Sequence, residues 1–334
     1  MEVRFLKPEE AEVLEKFVAG HPHGSIEQTW DWGVLQTTIP GREAMFALGA
    51  FEGKRLVASM LLIRQEMGMK KNWLWCPRGP LLPAKGAKEA WGVMKDACRD
   101  LAKQSGAVFL RMEPGVEAAE PLLAKGKTGG QSYLPENTLV LDLAVSEETI
   151  LGQMTQKGRY NIRQAAKTGV YVRKAPPNEI DDFYDILKET AGRDGFFLHD
   201  RDFYERFLEL LEGKAHFYLA HHDHDLLGGM MVTHFGDTAT YYFGASSGEF
   251  RQKMAPYALQ WFAIQDAKKA GLKRYDLLGV APEGDTKHVL AGVTQFKTRF
   301  GGKRVDYHGP QVVVFRPTWW LLYRIAKYVA RLHP

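Results

Sequence analysis

A chain of 334 residues, 45% hydrophobic and 25% charged, has material for two domains of ordinary size, each with its own core. No run approaches the ~18 uncharged apolar residues of a membrane span, and the opening MEVRFLKPEE lacks the apolar centre of a secretory leader, so a cytoplasmic protein is expected. Cys76 and Cys98 stand far apart without metal spacing, which argues against a disulfide framework, and the net charge of +4 is mild but unevenly placed.

In chain order, Pro8–Ala19 reads as a short amphipathic helix. Ser25–Thr37 (SIEQTWDWGVLQT) reads as another, with Ser25 as its cap and acid in the first turn. Ala44–Phe51 and Arg55–Gln65 form an antiparallel hairpin with Gly53 at the bend. Next comes the strand Asn72–Cys76, the loop PRGPLLPAKG, a helix over about Ala87–Gln104 and the strand Val108–Met112. Pro114–Leu134 is rich in Gly and Ala with weak periodicity, and is expected to be a mobile surface loop.

Thr138–Leu143 is a strand, and Ser146 caps a helix whose first turn carries Glu147 and Glu148; the domain boundary is placed here. A helix over about Thr155–Thr168 stops at Gly169, Val170–Lys174 is a strand, and Asp181–Arg193 and Asp202–Glu212 are helices. Phe217–His221, Leu226–Thr233 and Thr240–Phe243 make a meander. The earlier unit then returns: the last of those strands, the loop GASSGEFRQKMAP, a helix over about Tyr257–Ala270 and the strand Arg274–Leu278. Recurrence at this scale predicts two like domains, and the turn between strand and helix is where open α/β sheets hold phosphates and acyl donors. Thr286–Thr298 is helical, Val305–His308 with Gln311–Phe315 finish a sheet, and Trp319–Leu332 closes the chain as a helix.

Positive charge is concentrated in three acid-free runs: Leu151–Lys174, Phe296–Arg304 and the tail from Arg316. Each alone reads as a solvated face; together they point to an anionic partner such as nucleotide, nucleic acid or lipid headgroup. Arg159, Arg163 and Lys167 recur every four residues and form one stripe on a helix, either a plain exposed face or a phosphate contact surface. Gly244–Gly248 matches a nucleophile-elbow pattern, but Glu249–Lys253 intervene before the helix and Pro256 suits its first turn. The run His221–Asp225 sits at hairpin distance between strands and reads as a turn rather than a metal site; no metal is expected. Lys297, between Phe296 and Phe300, is either a surface lysine or a positive charge aimed at a developing oxyanion. The tail Trp319–Tyr323 with Arg324, Lys327 and Arg331 either docks on the first domain or rests on an anionic membrane surface.

Strand–loop–helix–strand after a meander resembles the heart of the GNAT acyltransferase fold. That family's donor loop places bare amides around a CoA pyrophosphate. Here Arg251–Pro256 has Met254 in place of the first glycine, and Pro256 lacks an amide donor, so the cradle is lost. The segments EQTWDWG, CPRGPLL, LRMEP, TLVLDL, KGRYNIRQAAKTGV, ETAGRDGF, YYFGASS, LQWFAIQDAKKAG, RYDLLG and QFKTRFGG resemble, in order, the FemABX family of peptidoglycan bridge synthesis.

The resemblance implies an α/β (α+β) chain of two tandem GNAT-like domains with mixed central sheets flanked by helices: residues 1–145, 146–316, and a helix over 317–334 packing back on the first. It implies a monomeric aminoacyltransferase that uses aminoacyl-tRNA as donor, needs no cofactor, and modifies an amine of a UDP-linked or lipid-linked peptidoglycan precursor, with peripheral contact at the inner membrane face. By the same resemblance Lys297 stabilises the oxyanion with Phe296 beside it, and Glu113 of LRMEP lies near the acceptor amine. Arg201 and Tyr204 match residues that hold the precursor's phosphates, while Tyr242, Arg159 and Arg163 complete the binding set. Gln36 stands where some members have a phosphate-binding lysine, which favours a different anchor or substrate. Two other readings keep the fold: an acyl-CoA-dependent N-acyltransferase acting on a polysaccharide or lipid precursor, and a non-catalytic binder of tRNA or envelope precursor.

Overall fold

The structure, a computed structural model, describes residues 1–122, 124–130, 132–195 and 197–332; the side chains of residues 128, 194 and 330–332, Arg331 of the basic tail included, fall outside that description. The chain divides into two units, Met1–Glu136 with Tyr307–Pro334, and Asn137–Asp306.

The first unit opens with β1 (Glu2–Phe5), α1 (Ala11–Gly20), α2 (Trp30–Thr37), β2 (Ala44–Glu52) and β3 (Arg55–Glu66). It continues through β4 (Asn72–Pro77), α3 (Ala87–Ser105), β5 (Ala107–Glu113) and β6 (Lys127–Thr128). The second unit runs β7 (Asn137–Asp142), α4 (Glu147–Gln153), α5 (Gln156–Lys167), β8 (Tyr171–Lys174), α6 (Ile180–Asp194) and α7 (Arg201–Leu210). Then follow β9 (Ala215–His222), β10 (Asp225–Phe235), β11 (Thr238–Ser246), α8 (Ala255–Lys269), β12 (Arg274–Asp276), α9 (Ala291–Lys297) and β13 (Lys303–Asp306). β14 (Gln311–Val314) and α10 (Pro317–Leu332) return to the first unit.

Each unit holds a seven-stranded sheet, ordered β1-β2-β3-β4-β5-β14-β6 in one and β8-β9-β10-β11-β12-β7-β13 in the other. The two orders correspond strand for strand. In both, an antiparallel run ends in one parallel pair, β4 with β5 and β11 with β12, bridged by α3 and α8. An antiparallel strand from elsewhere in the chain then follows, β14 in one sheet and β7 in the other. The repeat read from sequence is therefore the crossover that a parallel pair demands.

Gln28 and Thr29 explain the QTWDW motif. The Gln28 side chain, fully buried, accepts from Leu61 N at 2.9 Å and donates to the Pro77 carbonyl, tying α2's entrance to β3 and β4. Thr29 caps α2, its hydroxyl accepting from Trp32 N. Ser25 is not that cap: a separate turn over Ile26–Gln28 stands between, because the chain must bend to bury Gln28.

Other expectations change as well. Asn137–Asp142 precedes the expected boundary yet is laddered to β12 and β13, with Leu141 opposite Tyr275 and Thr138 opposite Val305. Ser146 does cap α4, accepting from Thr149 N at 3.1 Å, but a cap marks a helix end and not a domain edge. Gln311–Val314 pairs with β5 and not with β13. Helix α9 starts at Ala291, five residues later than the periodicity predicts, because Asp285 draws in the Lys287 amide and holds that stretch as a turn. Within Pro114–Leu134, Lys127–Thr128 forms an edge strand on β14.

Candidate active site

In the second unit the parallel pairing of β11 with β12 ends at Thr240 opposite Asp276, while β11 continues to Ser246. Leu278 and Gly279, with φ of 51° and 35°, turn the other chain away. Lys297 occupies this divergence. It is 6% exposed, and its ammonium donates to the Leu278 carbonyl and, at 2.8 Å, to the Gly279 carbonyl. The Tyr241 ring centroid lies 5.5 Å from Nζ. Burial lowers the ammonium pKa to about 8, while the nearby Asp276 carboxylate acts the other way. Asp276 is itself buried, accepting from the Thr138 hydroxyl and, at 2.7 Å, from Leu278 N. The result is a fixed positive charge with two N–H groups committed to carbonyls. Phe296 does not touch that charge as a partner; it packs with Tyr257 and Phe300 at 5.2 Å between centroids and walls the site. Nearby, Thr294 and Gln295 of α9 line a cavity of about 560 Å³ shared with Ala281, Glu283, Asp285 and Arg304.

The segments KGRYNIRQAAKTGV and QFKTRFGG meet here. Thr155 caps α5 through Gly158 N at 3.1 Å, and its own amide donates to the Arg299 carbonyl at 3.1 Å. A Cβ on Gly158 would stand 2.3 Å from that carbonyl oxygen, so only glycine lets α5 approach. Of the basic stripe, Arg159 turns back to the end of α4, donating to the Leu151 carbonyl at 3.4 Å and to that of Met154, a structural use favoured by the helix dipole. Arg163 and Lys167 remain exposed and share their face with Tyr160, three residues before Arg163.

Arg201 and Tyr204 both have partners within the protein. Arg201 is held by Asp181 and Glu205, which raise its pKa further. Tyr204 is 1% exposed; its hydroxyl accepts from His199 N at 3.4 Å, its ring packs on Phe243 at 5.1 Å, and burial pushes the phenol to about 12. A helix that buries every fourth residue puts Tyr204 in the core, whatever its chemistry. Tyr242 is the extra residue of a bulge: Met231 pairs with Phe243 and Val232 with Tyr241, so the side-chain alternation of β11 resets at this point. Its ring lies 5.7 Å from Phe207.

In the first unit Glu113 ends β5 and is 4% exposed. Its carboxylate accepts from Tyr133 N at 3.0 Å and Leu134 N at 2.8 Å, pinning the end of the Gly- and Ala-rich loop. Burial raises its pKa, against the pull of those amides and of Arg111 and Arg78. Gln36, also buried, accepts from the Arg42 guanidinium, which lies 5.3 Å from the Trp75 ring centroid. A cation therefore stands at Gln36 after all, delivered from a turn. Arg111 faces Trp73 at 5.1 Å and Tyr133 at 5.5 Å, so the two guanidiniums flank one aromatic wall.

The donor loop before α8 offers few free amides. Lys253 N and Met254 N donate to the Phe250 and Arg251 carbonyls at 2.9 and 3.2 Å, and Pro256 has no N–H. Met254 adopts φ 59°, the left-handed geometry that glycine favours. Sequence reasoning passed over Asp276, Tyr241 and Arg42. Asp276 carried a signal, an acid inside the apolar run RYDLL; Arg42, in a turn, carried none.

The FemAB family model matches residues 124–226 and 221–328. A lipid II:glycine glycyltransferase of Staphylococcus aureus is 21% identical, over 86% of this chain and 87% of its own. The crystal structure of FemX superposes with a TM-score of 0.86 at 18% identity, covering 97% of this chain and all of that one, 100%. A tandem GNAT protein from the clavulanic acid biosynthesis pathway gives 0.55 at 13% identity, covering 94% and 99%.

Proposed function

This chain belongs to the FemAB family, and on that footing we propose that it is an aminoacyltransferase carrying an aminoacyl group from aminoacyl-tRNA to an amine of a lipid-linked peptidoglycan precursor. The observation that carries the reading is Lys297, a buried ammonium fixed where β11 and β12 part. The donor ester is already activated, so positioning and charge suffice. The acceptor amine attacks the ester carbonyl, a C–N bond forms, and the charge growing on oxygen is met by Lys297. The ester C–O bond then breaks, and the ribose hydroxyl leaves with the proton lost by the amine.

Three further observations support this reading. The exposed face of Tyr160, Arg163 and Lys167 suits a polyanionic donor such as tRNA. Internally bonded amides before α8 and Pro256 in its first turn disfavour a CoA pyrophosphate. The Staphylococcus aureus relative is named for lipid II, which favours the lipid-linked acceptor over the UDP-linked one.

Single-turnover transfer with a panel of charged tRNAs and lipid-linked precursor tests the assignment. Lys297→Ala is expected to lower the rate by about 10²-fold or more, on the scale of a lost oxyanion donor, with the fold retained. An unchanged rate removes Lys297 from the mechanism. A rise in Tm with CoA thioesters and none with charged tRNA replaces the donor.

A further inference from the structure

A second cluster in the second unit has no part in that chemistry. β9 and β10 place Val232 opposite His216, so His234, two residues on, lies on the same face; the two imidazole centroids are 3.9 Å apart. Asp266 reaches the pair from α8. One ligand atom from each of His216, His234 and Asp266 lies within 4.8 Å of the other two. The carboxylate is already oriented: the Tyr218 hydroxyl donates to it at 2.8 Å, and the Lys174 ammonium pairs with it at 2.9 Å. His234 Nε2 is buried without a hydrogen-bond partner among the described residues, a polar atom that a bound ion would satisfy. Burial favours the neutral form of both imidazoles, the form that ligates.

Two neutral imidazoles and a carboxylate are the donor set of a borderline-soft divalent ion, and a side chain that hydrogen-bonds the ligating carboxylate is the usual support. We propose that His216, His234 and Asp266 bind one divalent transition-metal ion of the zinc class, with Tyr218 orienting the carboxylate and Lys174 competing for it. The ligands come from β9, β10 and α8, so the ion ties the sheet to its covering helix. Site and reaction are separate, so metal uptake is measurable without acyl transfer.

The test uses the full chain, stripped with chelator and titrated with ZnCl2 by calorimetry and with CoCl2 by visible absorption. One ion per chain is expected, with Kd on the order of micromolar, together with cobalt ligand-field bands and a higher Tm. His216→Gln and His234→Gln each weaken binding by about tenfold or more, on the scale known for disturbed metal sites. Lys174→Met tightens it, because Asp266 loses its competitor; this gain of affinity is readable even where the histidine variants fold poorly. His224→Ala, in the turn of the same hairpin, leaves binding unchanged. The proposal is overturned by no stoichiometric uptake, by loss of uptake in His224→Ala, or by a Lys174→Met affinity equal to the wild type.

Discussion

At the scale of single residues, Lys297 gives the sharpest pH dependence. Its folded pKa of about 8 lies below the ordinary 10.5 because burial penalises the charge more than Asp276 rewards it. Transfer that needs the ammonium therefore falls as pH rises through about 8. The stability effect has the opposite slope. The unfolded chain holds this proton more tightly, so the burial cost is complete below about 8 and is relieved toward 10.5. Across that window the wild type is expected to gain stability relative to Lys297→Met, read from denaturant midpoints at successive pH values. A parallel pH dependence in both proteins removes the assigned titration. The same residue shows what sequence conveys: FKTRFGG marked Lys297, but not that Leu278 and Gly279 carbonyls hold it, since those contacts depend on where β11 and β12 part.

At the scale of elements, two glycines on neighbouring helices predict opposite signs. Gly158 on α5 has the Arg299 carbonyl oxygen 2.3 Å from where a Cβ would stand, so Gly158→Ala must push α5 off the FKTRFGG segment. The expected loss is about 2–3 kcal/mol, the cost of overpacking a closed contact. Gly152 on α4 has nothing within 4 Å, so Gly152→Ala is expected to stabilise by about 0.5–1 kcal/mol through the unfolded chain. Urea midpoints for both decide it, and a destabilising Gly152→Ala with a neutral Gly158→Ala refutes the contact. Legibility follows the same division. The two crossovers were readable because β4, α3 and β5, like β11, α8 and β12, are local and carry their own periodicity. The strand exchange by β7 and β14 was not, because hydrophobic alternation says that a strand exists and not which sheet receives it. Arg201 and Tyr204 show the same limit: motif likeness places a residue on a helix, whereas burial and acidic neighbours set its partners.

At the scale of the whole molecule, no described helix is long and apolar enough to cross a membrane, and the proposed lipid-linked acceptor calls for a surface that can rest on one. Helix α10 has the build for that. Trp320 and Tyr323 pack on Phe109 of β5 at 4.6 and 5.3 Å, which seats one side of the helix on the first unit. The opposite side, about 160° away at 3.6 residues per turn, shows Leu321, Leu322, Ile325 and Tyr328, each more than half exposed at 58, 55, 51 and 66%. Docking on the first domain and resting on a membrane were opposed readings of this tail; one helix has separate faces for both. Exposed Arg324, beside Leu321 and Tyr328, adds a preference for anionic lipid, about 1 kcal/mol near the surface. Flotation with phosphatidylglycerol-containing vesicles is expected to carry the wild-type chain, neutral vesicles to carry less, and high salt to release part of it. Leu321→Ser, Leu322→Ser and Ile325→Ser together are expected to abolish flotation while leaving Tm near the wild type, since none of the three supports the Phe109 contact. If the triple variant floats as well as its parent, α10 is not the membrane contact.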